Sequence, residues 1–417
     1  MRTRSATRLH AAGHRSRVEL CLLHGFPHAG AAKGEGTESQ EEFFSNPALK
    51  GGAHDMDDFA INPGSLTGSD LPMRRSDLAL DLQQWTRALE QATQEAAQSP
   101  VGEAKARALL TAARAHWHLD DFLACLKVAL QCLANRDLDT PASIAVHAMT
   151  LAAFALNELG APEQARILAQ RALVQTRLEF LFDLLPTALS CAAHIESCNG
   201  NLERAETLHL EAIQHARDST DNNALQLALG NLLMSYINLL RSAQSNGNAS
   251  MAEAVKQRSR RHIAQARRLK EDPSLSQWRR LSLQQDLGEL LGLCGEQQEA
   301  EHLLRECLEQ SIEAGDPYST QAIATPLAEQ LEKRGEFQEA LGLLSTYVHP
   351  ENPRRGSYGR RLQATRTAES CLRHLRLGDD VTGMSERIAE DLREWEFLRK
   401  EATQCLLAAG YPVDLAG

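Results

Sequence analysis

One motif recurs along this chain at an interval of forty residues. It consists of a glycine, a small residue five positions later and a second small residue seven positions after that. The copies are Gly160, Ala165 and Ala172; Gly200, Ala205 and Ala212; Gly295, Ala300 and Cys307; and Gly335, Ala340 and Tyr347, of which only the tyrosine is large. A glycine lets the chain reverse between two helices, and small residues let the helices approach closely. The motif therefore predicts helical hairpins stacked in series, each stabilised by its neighbours.

The length and composition of the chain agree with such an array. The chain has 417 residues, more than one globular core normally covers, and a hairpin array escapes that limit. Its 43% of hydrophobic residues include only 5% aromatic residues, which suits helices packed through small side chains. The net charge of −11 argues against a general affinity for nucleic acid. No apolar run reaches the roughly 18 residues of a membrane span, so we expect no membrane partner.

The nine cysteines show no spacing typical of a metal or redox site. Cys125 and Cys132 are seven residues apart, as are Cys191 and Cys198. Cys125, Cys132 and Cys307 occupy small-residue positions of the repeat. We therefore expect free thiols between packed helices, as in a reducing compartment, and predict a cytoplasmic location.

The repeat divides the chain into three parts. Residues 1–74 show no helical period and are predicted to form a disordered N-terminal arm. Their first 34 residues carry six Lys or Arg and one acid, Glu19, which fits either an organelle transit peptide or an upstream extension before a start at Met56 or Met73. Residues 75–350 are predicted to hold the repeats. Residues 351–417 are predicted to form a degenerate final repeat and a capping helix.

Local signals position several helices. The first predicted helix begins at Ser76 and continues through Ala97. Gly200 and Gly295 are 95 residues apart, fifteen more than two periods. We assign the extra residues to a polar loop over 242–248, after a helix ending near Leu240, and to a lengthened helix over about 250–271. The last predicted pair covers about 357–376 and 383–409, with residues 378–380 between its helices.

The motif resembles the tetratricopeptide repeat, in the longer forty-residue form found in bacterial regulatory and sensor proteins. The residues that carry the resemblance are Ala153, Gly160, Ala165 and Ala172, with the equivalents Ala193, Gly200, Ala205 and Ala212. The usual aromatic residue after the turn is kept only at Phe122 and Phe337. The resemblance implies an all-α, right-handed solenoid of about six hairpins with a C-terminal capping helix, whose concave groove binds a protein or peptide segment.

In that family the first helix of each hairpin lines the groove. By register, the candidate groove residues of this chain are Arg107, Arg114, Trp117, His147, Phe154, Asn157, His194, Asn238, Gln285 and Glu289. Amide and charged side chains can pair with the backbone of an extended segment, and the aromatic side chains can anchor it. The alternative is that these residues are solvated, with Trp117 and Phe154 packed in the core.

A second feature is a local excess of arginine, which we call the basic patch. It comprises Arg258, Arg260, Arg261, Arg267 and Arg268. Arginine suits the recognition of carboxylates and phosphates, although a solvated helix face has the same composition. No zinc-finger, helix-turn-helix or RNA-recognition signature accompanies the patch.

No nucleophile elbow or glycine-rich phosphate loop occurs in the sequence, so we expect no catalytic residue, metal or cofactor. The sequence favours a non-catalytic scaffold or regulator, for example in signalling, that binds a protein or peptide in its groove. The alternative is the sensor half of a signalling or transcription-related regulator, without its output domain, that contacts nucleic acid or a nucleotide signal through its arginine clusters.

Overall fold

The computed structural model describes residues 84–219, 222–313, 317–348 and 358–411, and all regular structure within these ranges is helical. The α-helices in them are α1 Trp85–Gln98, α2 Glu103–His118, α3 Phe122–Ala134, α4 Ala142–Glu158, α5 Pro162–Leu178, α6 Leu185–Cys198, α7 Leu202–Asp218, α8 Asn222–Ser245, α9 Ala249–Leu269, α10 Gln277–Cys294, α11 Gln297–Glu313, α12 Pro317–Arg334, α13 Phe337–Val348, α14 Tyr358–Leu375 and α15 Gly378–Ala408. The predicted all-α fold is confirmed. The predicted disordered arm and the helix start at Ser76 lie outside the described residues.

The helices pack in chain order, each against the next, as a hairpin array requires. The even-numbered helices from α2 to α14 also contact one another in succession, α2 with α4, α4 with α6 and so on. Within the described ranges, successive odd-numbered helices make no comparable contacts with one another. The even-numbered helices are therefore closer together and form the inner side of a curved array. We call them the inner layer.

Seven turns join an inner-layer helix to the helix that follows it, and all of them contain a residue with positive φ. These residues are Asp120, Gly160, Gly200, Gly247, Gly295, Gly335 and Arg376. Five are glycines, the residue that adopts this conformation without steric cost. After Gly160, the amide of Ala161 donates a hydrogen bond to the carbonyl oxygen of Leu156 at 2.8 Å. This bond satisfies a carbonyl group in the last turn of α4.

The small residues of the repeat lie where the helices touch, as predicted. Ala165, Ala300 and Ala340 are fully buried, and so are the second small residues, Ala172 and Cys307. Cys125 and Cys132 are likewise buried free thiols. A larger side chain at these positions would separate the helices, because protein interiors pack at near-crystalline density.

The prediction for the interval between Gly200 and Gly295 was wrong in detail. Helix α8 does not end near Leu240 but continues to Ser245, so most of the predicted polar loop is helical. Only residues 246–248 separate it from α9, which spans Ala249–Leu269 as expected. The turn lies at Gly247, 47 residues after Gly200, and both helices of this hairpin are long. The extra residues therefore extend two successive repeats and do not form a loop.

The C-terminal prediction also needs a correction. Residues 378–380 do not separate the last two helices, because α15 begins at Gly378 and the turn is at Arg376. Helix α15 packs against α14, and Glu394 pairs with Arg361, 3.4 Å away, close to the start of α14. Residues 395–408 therefore extend past α14. We call this segment the C-terminal overhang.

The C-terminal overhang contacts the N-terminal hairpins. Trp395 packs over Gly160, and Ala402 and Leu406 are buried in the core cluster that also contains Leu126 of α3. Just beyond α15, the ring of Tyr411 lies 5.0 Å from the guanidinium of Arg171 on α5. The predicted capping helix thus also connects the C-terminal end of the array to its first two hairpins.

Candidate functional site

A row of aromatic rings crosses the inner layer in the N-terminal half. The ring centroid of Trp117 on α2 is 5.7 Å from that of Phe154 on α4, and Phe154 is 5.8 Å from His194 on α6. All three side chains are half-buried. The row exists because the inner-layer helices run side by side, so residues about forty positions apart become neighbours. Three of the groove residues inferred from register are thereby brought together.

The histidines near this row lie in a concave surface. His147 and His194 are half-buried by surface area, yet burial lowers the pKa of both, that of His147 to about 4 with a smaller contribution from Arg114. A side chain that solvent reaches but protein atoms largely surround lies in a recess. The same argument applies to His118, whose pKa burial and then Arg114 lower to about 4. These imidazoles are therefore neutral near pH 7.

Polar groups border the row at the end of α6. The Sγ atom of Cys198 lies 3.8 Å from Nε2 of His194, and the Asn157 side chain is also close to this thiol. Cys198 is exposed by surface area, but burial raises the pKa of its thiol to about 11. It therefore lies in the same concavity. The inner recess, as we define it, comprises Arg114, Trp117, His147, Phe154, Asn157, His194 and Cys198.

Cys198 was not among the groove residues inferred from the sequence. A signal for it was present, because it lies forty residues after Glu158, at the end of the next inner-layer helix. A cysteine at that position was interpreted only as a packing residue. Four inferred residues do not belong to the inner recess, and two of them, Gln285 and Glu289, lie in the C-terminal half. Arg107 pairs with Glu103 on its own helix at 2.7 Å, and Asn238 is exposed on α8.

The inner layer of the C-terminal half is closed by charged side chains. Arg241 of α8 lies 2.9 Å from Glu289 of α10 and 2.8 Å from Glu329 of α12, so it bridges two helices beyond its own. Arg360 of α14 approaches Glu289 at 3.7 Å. Glu289 is only 3% exposed and Gln285 only 9%. The prediction that these two residues line an accessible groove is therefore wrong, because both side chains are buried.

Asp286 is buried in the same region, next to Gly230 of α8. Burial raises the pKa of its carboxyl to about 8, with Glu289 acting in the same direction and Arg360 opposing. The charged cluster, as we define it, comprises Arg241, Asp286, Glu289, Glu329 and Arg360. Its ion pairs connect α8, α10, α12 and α14 across the inside of the curve.

The basic patch lies on α9 and is largely neutralised. Arg258 and Arg261 pair with Glu206, at 3.3 and 3.8 Å. Arg267 pairs with two glutamates of the next hairpin, at 2.7 and 2.6 Å. Arg260 and Arg268 are exposed. The patch therefore presents fewer unpaired cations than its sequence suggests.

The described ranges contain no group of three or more His, Cys, Asp or Glu side chains arranged to hold a metal ion. Within the same ranges, no helix combines the length and the apolar character that crossing a bilayer requires.

No protein-family model matches the chain, and no curated protein is significantly similar to it. Among solved structures, the chain is similar to the crystal structure of Ton1535 from Thermococcus onnurineus NA1. The two sequences are 14% identical, and the match covers 79% of this chain and 97% of that chain with a TM-score of 0.25.

Proposed function

We propose that this chain is a non-catalytic scaffold or regulator that holds an extended protein or peptide segment against the inner recess. The observation that carries the proposal is the convergence of aromatic and polar side chains from α2, α4 and α6 on a concave surface that solvent reaches. Partly exposed aromatic residues in a concavity are the usual anchors of a bound segment.

The proposal includes a right-handed, tetratricopeptide-like solenoid. Its support is the series of positive-φ turns, with Asp120, Gly160 and Gly200 in strict forty-residue phase and Gly295 and Gly335 forty residues apart. It is further supported by the contacts along the inner layer. On this basis α2 to α15 form seven hairpins, one more than the sequence suggested. The buried free thiols suit a reducing compartment, and a cytoplasmic location is part of the proposal.

The chemistry of the inner recess suits a neutral, partly apolar segment. Trp117 and Phe154 offer ring faces and edges for an apolar or aromatic side chain. Neutral imidazoles and the amide of Asn157 can each donate and accept hydrogen bonds, so they can satisfy the unpaired backbone of an extended chain. Acidic side chains of a partner would find one cation here, Arg114, which lies near His118 and His147.

Selection from a random peptide library displayed on phage, against the full chain, tests the proposal. We expect the selected peptides to bind Phe154→Ala at least about tenfold more weakly than the unmodified chain. Phe182→Ala is the matched control, because Phe182 is 66% exposed and lies in the connection between α5 and α6. Failure to select any peptide, or peptides that bind both variants equally well, would count against the proposal.

The second candidate function is the binding of nucleic acid or a nucleotide signal through the basic patch. The observation in its favour is the exposure of Arg260 and Arg268 on α9. Binding of this kind weakens steeply with salt, in proportion to the phosphates contacted. Titration of labelled duplex and single-stranded probes at low salt decides it. Loss of binding on Arg260→Ala would support it, and absence of binding at low salt would exclude it.

A further inference from the structure

A cavity of about 220 Å³ lies where α7, α8 and α9 meet, beside the end of α6. Its apolar lining includes Leu232 and Leu239 of α8 and Val255 of α9. Ala205 of α7 and Ala254 of α9 also line it, and their short side chains leave the space unfilled. Cavities of about 150 Å³ with apolar walls accept benzene, so this one has room for a single ring with a substituent.

The cavity has an unusual polar group in its wall, the side chain of His209. His209 is 0% exposed, and its Nε2 lies 2.9 Å from the hydroxyl of Ser235. That hydroxyl donates its proton to the carbonyl oxygen of Asn231 at 3.0 Å. It must therefore accept the bond from Nε2–H of His209, and Nδ1 carries a lone pair. No group of the described residues hydrogen bonds to this Nδ1.

His209 stays neutral over the ordinary pH range. Burial, with smaller contributions from His194 and His262, lowers its pKa to about 3. Its Nδ1 is therefore an acceptor and not a donor. A buried acceptor without a partner is costly, and a ligand that supplies a donor removes that cost. A second cavity-lining group, the hydroxyl of Ser197, is also buried without a hydrogen-bond partner among the described residues.

Of the three charged residues in the cavity lining, Glu206 and Arg258 pair with each other, and Glu203 is exposed on the outer surface. Glu206 accepts a bond from the hydroxyl of Tyr236 at 3.4 Å and pairs with Arg258 at 3.3 Å. The remaining lining offers mainly carbon surface to a ligand. A charged ligand would have to lose its hydration without a compensating partner, whereas a neutral one would not.

We propose that this cavity binds a neutral molecule with a single ring that carries a hydrogen-bond donor, of the phenol class. The ring occupies the apolar space between α8 and α9, and its O–H donates to Nδ1 of His209. No residue of the cavity lining belongs to the inner recess, although Ser197 of the lining precedes Cys198 of the recess.

Binding of phenol and toluene to the full chain tests the proposal, because the two molecules differ in the donor. We expect phenol to bind with a Kd of about 1 mM or lower and at least about fivefold more tightly than toluene. With ¹⁵N-labelled histidine, phenol should shift the Nδ1 resonance of His209, whereas toluene should not. This measurement uses the unmodified protein and needs no variant to fold.

The variant His209→Phe keeps a ring in the wall and removes the acceptor. We expect it to lose the preference of about fivefold for phenol and to retain toluene binding. His215→Phe is the matched control, since His215 lies on the same helix outside the cavity lining, and it should keep the preference. No binding of phenol, equal Kd values for phenol and toluene, or an unchanged preference in folded His209→Phe would each overturn the proposal.

Discussion

The indole nitrogen of Trp395 lies 3.4 Å from the carbonyl oxygen of Glu158, 237 residues earlier in the chain, and is oriented to donate to it. The ring covers Gly160, the turn of the second hairpin. This contact connects the last helix of the array to its N-terminal half, so the array is closed by its own C-terminal overhang. Long-range contacts of this kind are absent from a simple open solenoid, in which each repeat contacts only its neighbours.

Substitution of Gly160 should release the C-terminal overhang. A Cβ atom at this position would overlap the Trp395 ring, and the residue has a φ of +75°. Gly200 is a matched control, because it has a φ of +81° with no atom within 4 Å of the added carbon. We expect Gly200→Ala to lower the free energy of unfolding by about 1 kcal/mol, and Gly160→Ala by a further 1–3 kcal/mol or so. Equal losses in urea titrations would show that Trp395 does not constrain Gly160.

The thiol of Cys405 reports docking of the C-terminal overhang. Cys405 is half-buried on the overhang, and burial raises its pKa. We expect Trp395→Ala to speed its labelling by maleimide severalfold, because loosened docking exposes it. Cys294 is the internal control, since it is also half-buried but lies on α10, and its rate should not change. Parallel acceleration of both thiols would indicate general unfolding.

The charged cluster should respond strongly to removal of its central cation. Arg241→Met leaves Glu289 and Glu329 buried without their shared partner, which typically costs about 3–5 kcal/mol of stability. Arg258→Met removes an arginine that is 54% exposed and pairs with Glu206, and should cost no more than about 1 kcal/mol. Urea titration of both variants checks the difference. Similar losses would show that the charged cluster is well solvated.

Asp286 should make stability depend on pH. Its carboxyl has a pKa of about 8 in the folded chain and an ordinary value of 3.8, so between these values only the folded state retains the proton. The contribution of the protonated Asp286 carboxyl to the free energy of unfolding is complete below about pH 4. It is lost as pH rises through about 8. Relative to Asp286→Asn, the unmodified chain should lose about 1.4 kcal/mol per pH unit in that window. Urea titrations from pH 5.5 to 8.5 measure the slope, and parallel profiles would contradict the assignment.

Local features of the fold could be predicted from the sequence, because they depend on residues close together in the chain. The turns at Gly160 and Gly295 follow from glycine conformational freedom, and burial of Ala165 follows from the repeat register. The loop around Gly247 was predicted too long, because its repeat is longer than forty residues and the phase no longer indicated where the helix ends. The docking of Trp395 could not be predicted, since nothing local records which distant surface a helix contacts.

In the candidate site, too, the repeat spacing was informative, whereas contacts between distant residues could not be predicted. The aromatic row could be inferred because Trp117, Phe154 and His194 occupy nearly equivalent positions on successive inner-layer helices. The repeat register could not show that Glu289 is buried, because its partners Arg241 and Arg360 are distant in the sequence. The forty-residue register identifies the residues of the inner layer, but it does not show whether solvent or a partner can reach them.

Photo-cross-linking of a selected peptide to the full chain tests the central claim most directly. A peptide with a diazirine side chain at each position in turn should cross-link to α2, α4 and α6, at residues around Trp117, Phe154 and His194. Mass spectrometry identifies the linked residues. Cross-links confined to the odd-numbered helices, or to the surface around Arg260 and Arg268, would contradict binding in the inner recess.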